Sequence, residues 1–345
     1  MELGSEFAKG AAERVLGAKF PILMRVILPG LLATGVFYPA IERALERLPS
    51  DADHWWQRIV GYIVFVAFLG ALASALNDEV YKLYEGRILW PARLFEWARK
   101  QQQKRVERLL DATKTAKSEE IYNERWYELR AYPINDDGVP EATHPTRLGN
   151  VLAGYEQYPG VRYGMDSVFF WPRIWLQIEQ EKKSAIDSTW SVADGLLSVS
   201  AISFLGAAVW LGQAVGAIFG LGWQIVPLAS PLYSFVAAFA WLVAGFFFYR
   251  ISLPYHRANG EIFKSIFDLH REKIWSLTSL KPGEKEAWRA AWAYLQYVRL
   301  QCPNCKKGFN HPSSQKCAVC GFGLEELNRN FFATGKFPDV GPPSG

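Results

Sequence analysis

The longest uncharged stretch of the chain constrains its fold most. No Asp, Glu, Lys or Arg occurs between Asp194 and Arg250. One helix needs roughly 20 apolar residues to cross the hydrocarbon core of a bilayer, so this stretch predicts two transmembrane helices, near Leu196–Phe219 and Leu232–Arg250. A buried hairpin in a soluble core is the alternative, which so long an uncharged run disfavours. Residues that break helices favour a connection between the two: Trp223, Gln224, Pro227, Ser230 and Pro231.

Two more apolar segments precede this pair. Phe20–Ile41 can span if Pro29 kinks the helix and Arg25 extends toward the headgroups, and Ile59–Leu76 has no charge at all. Residues 8–76 therefore predict a first helix pair, with spans at about residues 20–41 and 59–76. Arg25 is the one charge set inside a predicted span. Ion and proton pumps usually have charged residues deep in their spans, and apart from Arg25 the predicted spans have none, so an active transporter is disfavoured.

The basic residues predict which way the chain crosses the membrane. Lys and Arg are frequent after the second predicted span and again after the fourth, and such residues favour the cytoplasmic side. We therefore expect a multi-pass protein of the inner membrane with both termini in the cytoplasm. Residues 77–194 form a helical cytoplasmic insertion in this prediction, and residues 195–250 form the second helix pair. Residues 1–7 contain Gly4-Ser5-Glu6-Phe7, which is typical of translated cloning sites, and are left out of the fold.

The cytoplasmic segments predict further helices. Leu94–Tyr132 is expected to form one or two helices, and a short amphipathic helix is expected to end at Pro159-Gly160. Residues 251–301 predict a helical hairpin whose second arm is Glu284–Gln301. Residues 302–325 follow as a small module, and residues 326–345 form a tail. The apolar stripe of the short helix is Leu148, Val151, Leu152 and Tyr155. The apolar stripe of the first hairpin arm is Ile262, Phe263, Ile266, Phe267 and Ile274.

All four cysteines of the chain form two C-x-x-C pairs near the C-terminus. Four thiolates complete the tetrahedral shell of Zn²⁺. Two disulfides or a redox pair are the alternatives, but disulfides are rare in the cytoplasm, and a thioredoxin-like pair needs one C-x-x-C within a βαβ pattern. We therefore expect one structural Zn²⁺, with no coordination position left open for catalysis, bound by Cys302, Cys305, Cys317 and Cys320.

The segment that begins Cys302-Pro303-Asn304-Cys305 and ends Cys317-Ala318-Val319-Cys320-Gly321 resembles the zinc-ribbon family. The resemblance implies a small β-rich knuckle around a structural metal. It implies no activity, because zinc ribbons occur in many kinds of protein. It covers only this short part of the 345-residue chain.

Small residues recur every fourth position in the third predicted span, namely Ala208, Gly212, Gly216 and Gly220. They share one helix face, and small residues let helix backbones approach closely in lipid. A partner within the chain or a neighbouring subunit could fill that face, and we expect the partner within the chain.

A basic run follows the second predicted span. It could bind anionic lipid headgroups or be a solvated helix face. Its residues are Arg99, Lys100, Lys104, Arg105 and Arg108.

The fold class that follows is an all-α polytopic membrane protein with four transmembrane helices, a helical cytoplasmic insertion and a C-terminal zinc ribbon. No combination of nucleophile and base, and no phosphate-binding loop, is evident, so the chain is not expected to be an enzyme. The net charge of +4 is too small to indicate nucleic acid as a partner. The first functional hypothesis is a membrane-anchored scaffold for a cytosolic protein partner. The second is an oligomeric channel or membrane-permeabilising effector gated from the cytoplasm, as in bacterial stress or defence systems.

Overall fold

A computed structural model describes residues 20–45, 55–115, 118–135, 138–219, 230–277, 288, 300–305, 309–310, 315–317 and 319–334. Most of these residues are helical. Four helices are long and apolar enough to cross a membrane, which agrees with the sequence prediction of a four-span membrane protein. The chain divides into two compact units. Unit one comprises Met1–Leu109, Ala142–Val151 and Glu181–Asn259, and unit two comprises Leu110–Glu141, Leu152–Gln180 and Gly260–Gly345.

The first pair of spans consists of α1 and α2. Helix α1 has three successive parts, Phe20–Ile22, a π-helical turn at Leu23–Ile27 and a regular helix at Leu28–Leu45, and α2 is Trp55–Ala75. In the π-helical turn the Leu28 amide donates to the Leu23 carbonyl. This wider turn lies next to Pro29, whose ring nitrogen cannot donate to a helical carbonyl.

The second pair of spans is longer than the sequence prediction. Helix α8 runs over Gln180–Phe219 and α9 over Pro231–His270, 40 residues each. The charged residues that were expected to end each span, Asp194 and Arg250, lie inside these helices. The first arm of the expected hairpin is therefore a continuation of α9 and not a separate helix. Its predicted stripe is confirmed, because Phe263, Ile266, Phe267 and Ile274 are buried and Ile262 is half-buried.

Five shorter helices lie between the second and third spans in the described part of the chain. They are α3 Asn77–Glu85, α4 Ala92–Lys114, α5 Glu119–Leu129, α6 Arg147–Tyr163 and α7 Ser167–Gln177. Leu94–Tyr132 thus contains two helices, as expected. The predicted end of α6 at Pro159-Gly160 is wrong. The helix continues to Tyr163, and Gly164 then adopts a positive φ of 73°, which lets the next amide, that of Met165, donate to the Pro159 carbonyl at 3.1 Å. Glycine tolerates this left-handed conformation and so ends the helix after Tyr163, although Pro159 inside the helix removes one hydrogen bond and crowds the preceding turn.

The C-terminal module has little regular structure. Strands β1 Leu300–Gln301 and β2 Phe309–Asn310 pair antiparallel, and helix α10 covers Glu325–Thr334. The expectation of a helix through Gln301 is therefore wrong at its end, where the chain pairs as a strand before Cys302. Of the rest of that helix only Trp288 is described, and it is buried against Phe170 with ring centroids 5.5 Å apart. The remainder lies outside the described residues.

Candidate functional site

The four cysteines predicted as ligands are brought together in one cluster. Their Sγ atoms all lie within 4.8 Å of one another. Cys302 and Cys320 are 3.7 Å apart at sulfur, and Cys305 and Cys317 are 3.8 Å apart. Zn–S bonds of about 2.3 Å in a tetrahedral shell place the sulfurs about 3.8 Å apart, whereas a disulfide needs about 2.05 Å. The spacing fits a metal ion at the centre of four thiolates and does not fit two disulfides.

Local hydrogen bonds explain why the second C-x-x-C pair turns toward the first. The Cys317 amide donates to the Phe322 carbonyl at 2.8 Å, and the Gly321 amide donates to the Cys317 carbonyl at 2.9 Å. Gly321 has a φ of 71°, which closes this tight turn without a clash from a side chain. The Val319 amide points at the Cys317 sulfur at 3.4 Å. A backbone donor of this kind stabilises a thiolate ligand.

The cluster is anchored in a small apolar core. Cys302 and Cys317 are buried with Leu324, and Cys305 and Leu327 pack against them. Burial raises the pKa of the Cys302 thiol to about 11. The sulfur is therefore protonated at neutral pH when no metal is bound, and binding of a metal ion must release that proton.

A second cluster, which sequence reasoning missed, surrounds Arg25 in unit one. Its Nη1 donates to Asp187 Oδ1 at 2.7 Å, and its Nε donates to Asp194 Oδ2 at 2.8 Å. Tyr81 donates to the other oxygen of Asp194 at 2.6 Å, and the Tyr81 ring contacts the edge of buried His256 at a centroid distance of 5.6 Å. Four chain segments, α1, α3, α8 and α9, thus meet at one polar centre. We name these five residues the Arg25 cluster.

The Arg25 cluster escaped the sequence analysis because its members are far apart in the chain. In the sequence Asp194 marks the charged boundary of the third predicted span, and Asp187 has no apparent role. Continuation of α8 through both carboxylates puts them seven positions apart, on nearly the same helix face. They can therefore share one guanidinium. A charge in a membrane-spanning helix is almost always paired in this way.

The small-residue stripe of the third span does not lie as expected. Ala208 and Gly212 are exposed, and no atom of the described chain lies within 4 Å of a Cβ placed on Gly212. Gly216 is buried, and Gly220 lies outside the described residues. Among the described residues Ala208 and Gly212 are therefore not buried against another helix, whereas Gly216 is, and packing of the whole stripe within the chain stays a prediction. The buried face of α8 is instead formed by residues one or two positions before or after Ala208 and Gly212. These are Gly206, Ala207, Trp210, Gln213 and Ala214.

The closest backbone approaches at glycines between two spans are in the first pair of spans. A Cβ on Gly30 would lie 2.2 Å from the Val66 carbonyl oxygen, and one on Gly70 would lie 2.2 Å from the Val26 carbonyl oxygen. Helices α1 and α2 thus touch backbone to backbone. The sequence signal for this contact is weak, because each helix contributes one glycine to it and no repeat is visible.

The predicted basic run lies on α4. Lys100, Lys104 and Arg108 are exposed, Arg105 is half-buried, and Arg99 pairs with Glu96 at 2.9 Å. Three of the five positive charges are therefore available to an anionic surface. One side chain of the same helix, Val106, is fully buried and fixes which face of α4 is turned outward.

Comparisons with protein-family models, curated proteins and solved structures find no match to the chain. The function is therefore argued from the chemistry of the two clusters and of the surfaces around them.

Proposed function

We propose that the protein is a membrane-anchored scaffold whose C-terminal zinc module binds a protein partner in the cytoplasm. The observation that carries this proposal is an apolar surface formed by Val319, between the last two cysteines, and Phe322, two positions after Cys320. Val319 is 61 % exposed and Phe322 is 44 % exposed, although both flank a cysteine cluster that the fold holds in place. Large apolar side chains that are both exposed and rigidly positioned are typical of protein-binding surfaces.

The metal in this proposal is Zn²⁺, and its role is structural. Four thiolates occupy all positions of a tetrahedral ion, so no position remains for a substrate or an activated water. The paired strands beside the first cysteines and the tight turn at Gly321 support assignment of residues 302–325 as a zinc ribbon. Metal analysis of the purified protein is expected to give one Zn²⁺ per chain. Iron in its place, or no metal in protein purified without chelator, would contradict this assignment.

A matched pair of variants tests the metal site. Cys305→Ser should abolish zinc binding and expose the C-terminal module to protease, because structural zinc supplies much of the folding free energy of so small a module. The four spans should stay inserted in the membrane. Lys316→Ser changes an exposed residue next to Cys317 that is not a ligand, and it should retain the metal.

A second exposed surface supports a docking role for the insertion. Tyr122, Trp126 and Tyr127 on α5 are exposed, and the rings of Tyr122 and Trp126 stack at 6.4 Å. Aromatic residues of this kind often dominate the energy of protein–protein interfaces. Unit two therefore carries two apolar surfaces, one on α5 and one on the zinc module.

The scaffold proposal is tested by site-specific crosslinking in intact cells. A photoreactive amino acid at position 319 should give one dominant crosslinked protein species. Phe322→Asp should remove that species, because it places a charge in an apolar contact. Gln315→Asp introduces the same charge at another exposed position of the module and should leave the crosslink unchanged. Crosslinks to lipid alone, or equal loss with both variants, would contradict a protein-docking role.

An oligomeric channel is the second candidate, and the exposed stripe on α8 is the observation that favours it. Ala208 and Gly212 provide a smooth face in a membrane-spanning helix, where a second helix packs better than lipid tails do. Gly212→Leu should lower the mass of the detergent complex to that of a folded monomer if this face joins subunits. Light scattering measures the mass, and planar-bilayer recording measures conductance. An unchanged mass and no conductance would eliminate the channel.

A further inference from the structure

Helix α4 has one exposed face that neither of the functions above uses. The residues of this face recur at intervals of three or four positions, which places them on the same side of a helix. All of them are exposed, whereas Ala98 and Val106 on the other side of α4 are buried. We name this set the basic face of α4, and it consists of Arg93, Trp97, Lys100, Lys104 and Arg108.

The positive charges of the basic face are not neutralised within the described part of the chain. Each acidic residue of α4 already contacts another side chain of the same helix. These contacts join Glu96 to Arg99, Glu107 to Gln103 and Asp111 to Lys114. No carboxylate among the described residues pairs with Lys100 or Lys104. Arg108 Nε donates to the Lys104 carbonyl at 3.2 Å, a neutral acceptor that leaves the guanidinium charge in place.

The first turns of α4 lie beside the apolar part of the second pair of spans, within unit one. Leu94 of α4 and Leu89 just before it line the same open groove as Phe204, Leu205 and Phe246. The last three residues belong to the long uncharged stretch of the sequence, which is the part of α8 and α9 that can lie in hydrocarbon. The start of α4 is therefore at the depth of the bilayer surface and not at a distance from it.

Three large apolar side chains are exposed at this end of α4. Leu89 is 84 % exposed, Trp97 is 60 % exposed and Leu94 is 47 % exposed. Leu89 also has a φ of 59°, a left-handed conformation that is costly for leucine, so the fold holds this side chain outward against a local cost. Contact with acyl chains removes such side chains from water. Tryptophan favours the headgroup region, where its ring is buried and its indole N–H stays hydrated.

We propose that α4 lies in the surface of the bilayer and binds anionic lipids, with Leu89 and Leu94 among the acyl chains and the cations of the basic face at the phosphates. Cations that flank exposed apolar and aromatic side chains are typical of helices in this position. A solvated face, which was the alternative for the basic run, would leave these apolar side chains in water. Nucleic acid would attract the same cations but would not cover Leu89 and Leu94. The proposal does not depend on the partner of the zinc module.

Fluorescence quenching of the full chain in lipid nanodiscs tests the depth of α4. A fluorescent amino acid replaces Trp97, and the lipids carry a quencher close to the headgroup. Emission from position 97 should be quenched strongly. The same amino acid at position 319, in the C-terminal module, is the control and should be quenched little. Strong quenching at position 97 supports the proposal whatever the result at position 319, and weak quenching at position 97 overturns it.

Native mass spectrometry of the detergent-extracted full chain tests the headgroup. The protein is incubated with equal amounts of phosphatidylglycerol and phosphatidylcholine that carry the same acyl chains, and wild type should retain phosphatidylglycerol in preference.

The double variant Lys100→Gln, Lys104→Gln should reduce this preference by about tenfold or more, because each cation near an anionic surface strengthens binding by about fivefold. Both positions are exposed, so the variant should fold. Lys316→Gln removes an exposed charge outside α4 and should leave the preference unchanged. Equal retention of the two lipids by wild type, or an unchanged preference in the double variant, would overturn the proposal. So would nucleic acid that co-purifies with wild type and not with the double variant.

Discussion

At the scale of residues, the metal ligands are predictable from the sequence, and the partners of the buried charge in the first span are not. The four cysteines were predictable because ligand spacing is a local property, and two C-x-x-C pairs leave few other chemical roles. The Arg25 cluster was not predictable, because its carboxylates lie more than 160 positions from the arginine. A charge in a span indicates that a partner exists. It does not identify that partner until the fold is known.

Asp194 should contribute more to stability than Asp187. Its side chain is 14 % exposed against 44 % for Asp187, and it also accepts the hydrogen bond of Tyr81. Asp194→Asn should cost about 1–3 kcal/mol, the scale of a half-buried hydrogen bond to a charge, whereas Asp187→Asn should cost about 1 kcal/mol or less. Thermal unfolding in detergent measures both. Equal shifts for the two variants would show that Tyr81 and burial add nothing to the Arg25–Asp194 pair.

Metal binding should become weaker as the pH falls. The ligand in each case is a thiolate, and burial holds the pKa of the Cys302 thiol above its ordinary value, so a bound ion must displace protons. Protons and metal therefore compete for the sulfurs. The apparent affinity for metal should decrease steeply between about pH 8 and about pH 6. Competition with a chelator at several pH values measures this slope. Affinity that is independent of pH would show that the thiols are already ionised without metal.

At the scale of helices, the existence and the type of each element were easier to predict than its ends. An uncharged run in the sequence shows which part of a helix can lie in hydrocarbon, but it does not show where the helix begins or ends. Helices α8 and α9 continue through Asp194 and Arg250 because residues beyond them still bury an apolar face, as Phe263 and Phe267 do in unit two. Buried hydroxyls add hydrogen bonds between helices. Ser200 accepts from Tyr84 on α3 at 2.7 Å and donates to the Gly245 carbonyl on α9 at 2.8 Å.

The same substitution at two glycines tests which helix faces are in contact. Gly70→Ala should destabilise the protein strongly, because its Cβ would lie 2.2 Å from the Val26 carbonyl oxygen and the two backbones would have to separate. Gly212→Ala adds a methyl group where no described atom is near, and it should stabilise α8 by about 0.5–1 kcal/mol through helix propensity. Thermal midpoints in detergent compare them. A harmless Gly70→Ala would mean that α1 and α2 are not in backbone contact.

At the scale of the whole molecule, the direction in which the chain crosses the membrane stays a prediction from its positive charges. A reporter that is active only in the cytoplasm should be active when fused after Gly345 and inactive when inserted near Asp51. The physical reason is that Lys and Arg are retained on the cytoplasmic side during insertion. The opposite pattern would place the four cysteines in an oxidising compartment. It would then remove the argument for a reduced metal site and for a cytosolic partner.

The length of α8 and α9 determines how far their ends would move if the thickness of the membrane changed. A helix of 40 residues is about 60 Å long, roughly twice the thickness of the hydrocarbon core. The uncharged part of each helix lies on one side of Asp194 or Arg250, and we expect the remaining residues, which cover about 20–30 Å of helix, to extend toward the aqueous phase. Helices tilt when a bilayer becomes thinner or thicker, and a tilt of about 10° moves the end of such a segment by about 4–5 Å. We therefore expect a change in membrane thickness to displace the ends of these two helices in the aqueous phase, which distance measurements between labels in thin and thick bilayers would detect.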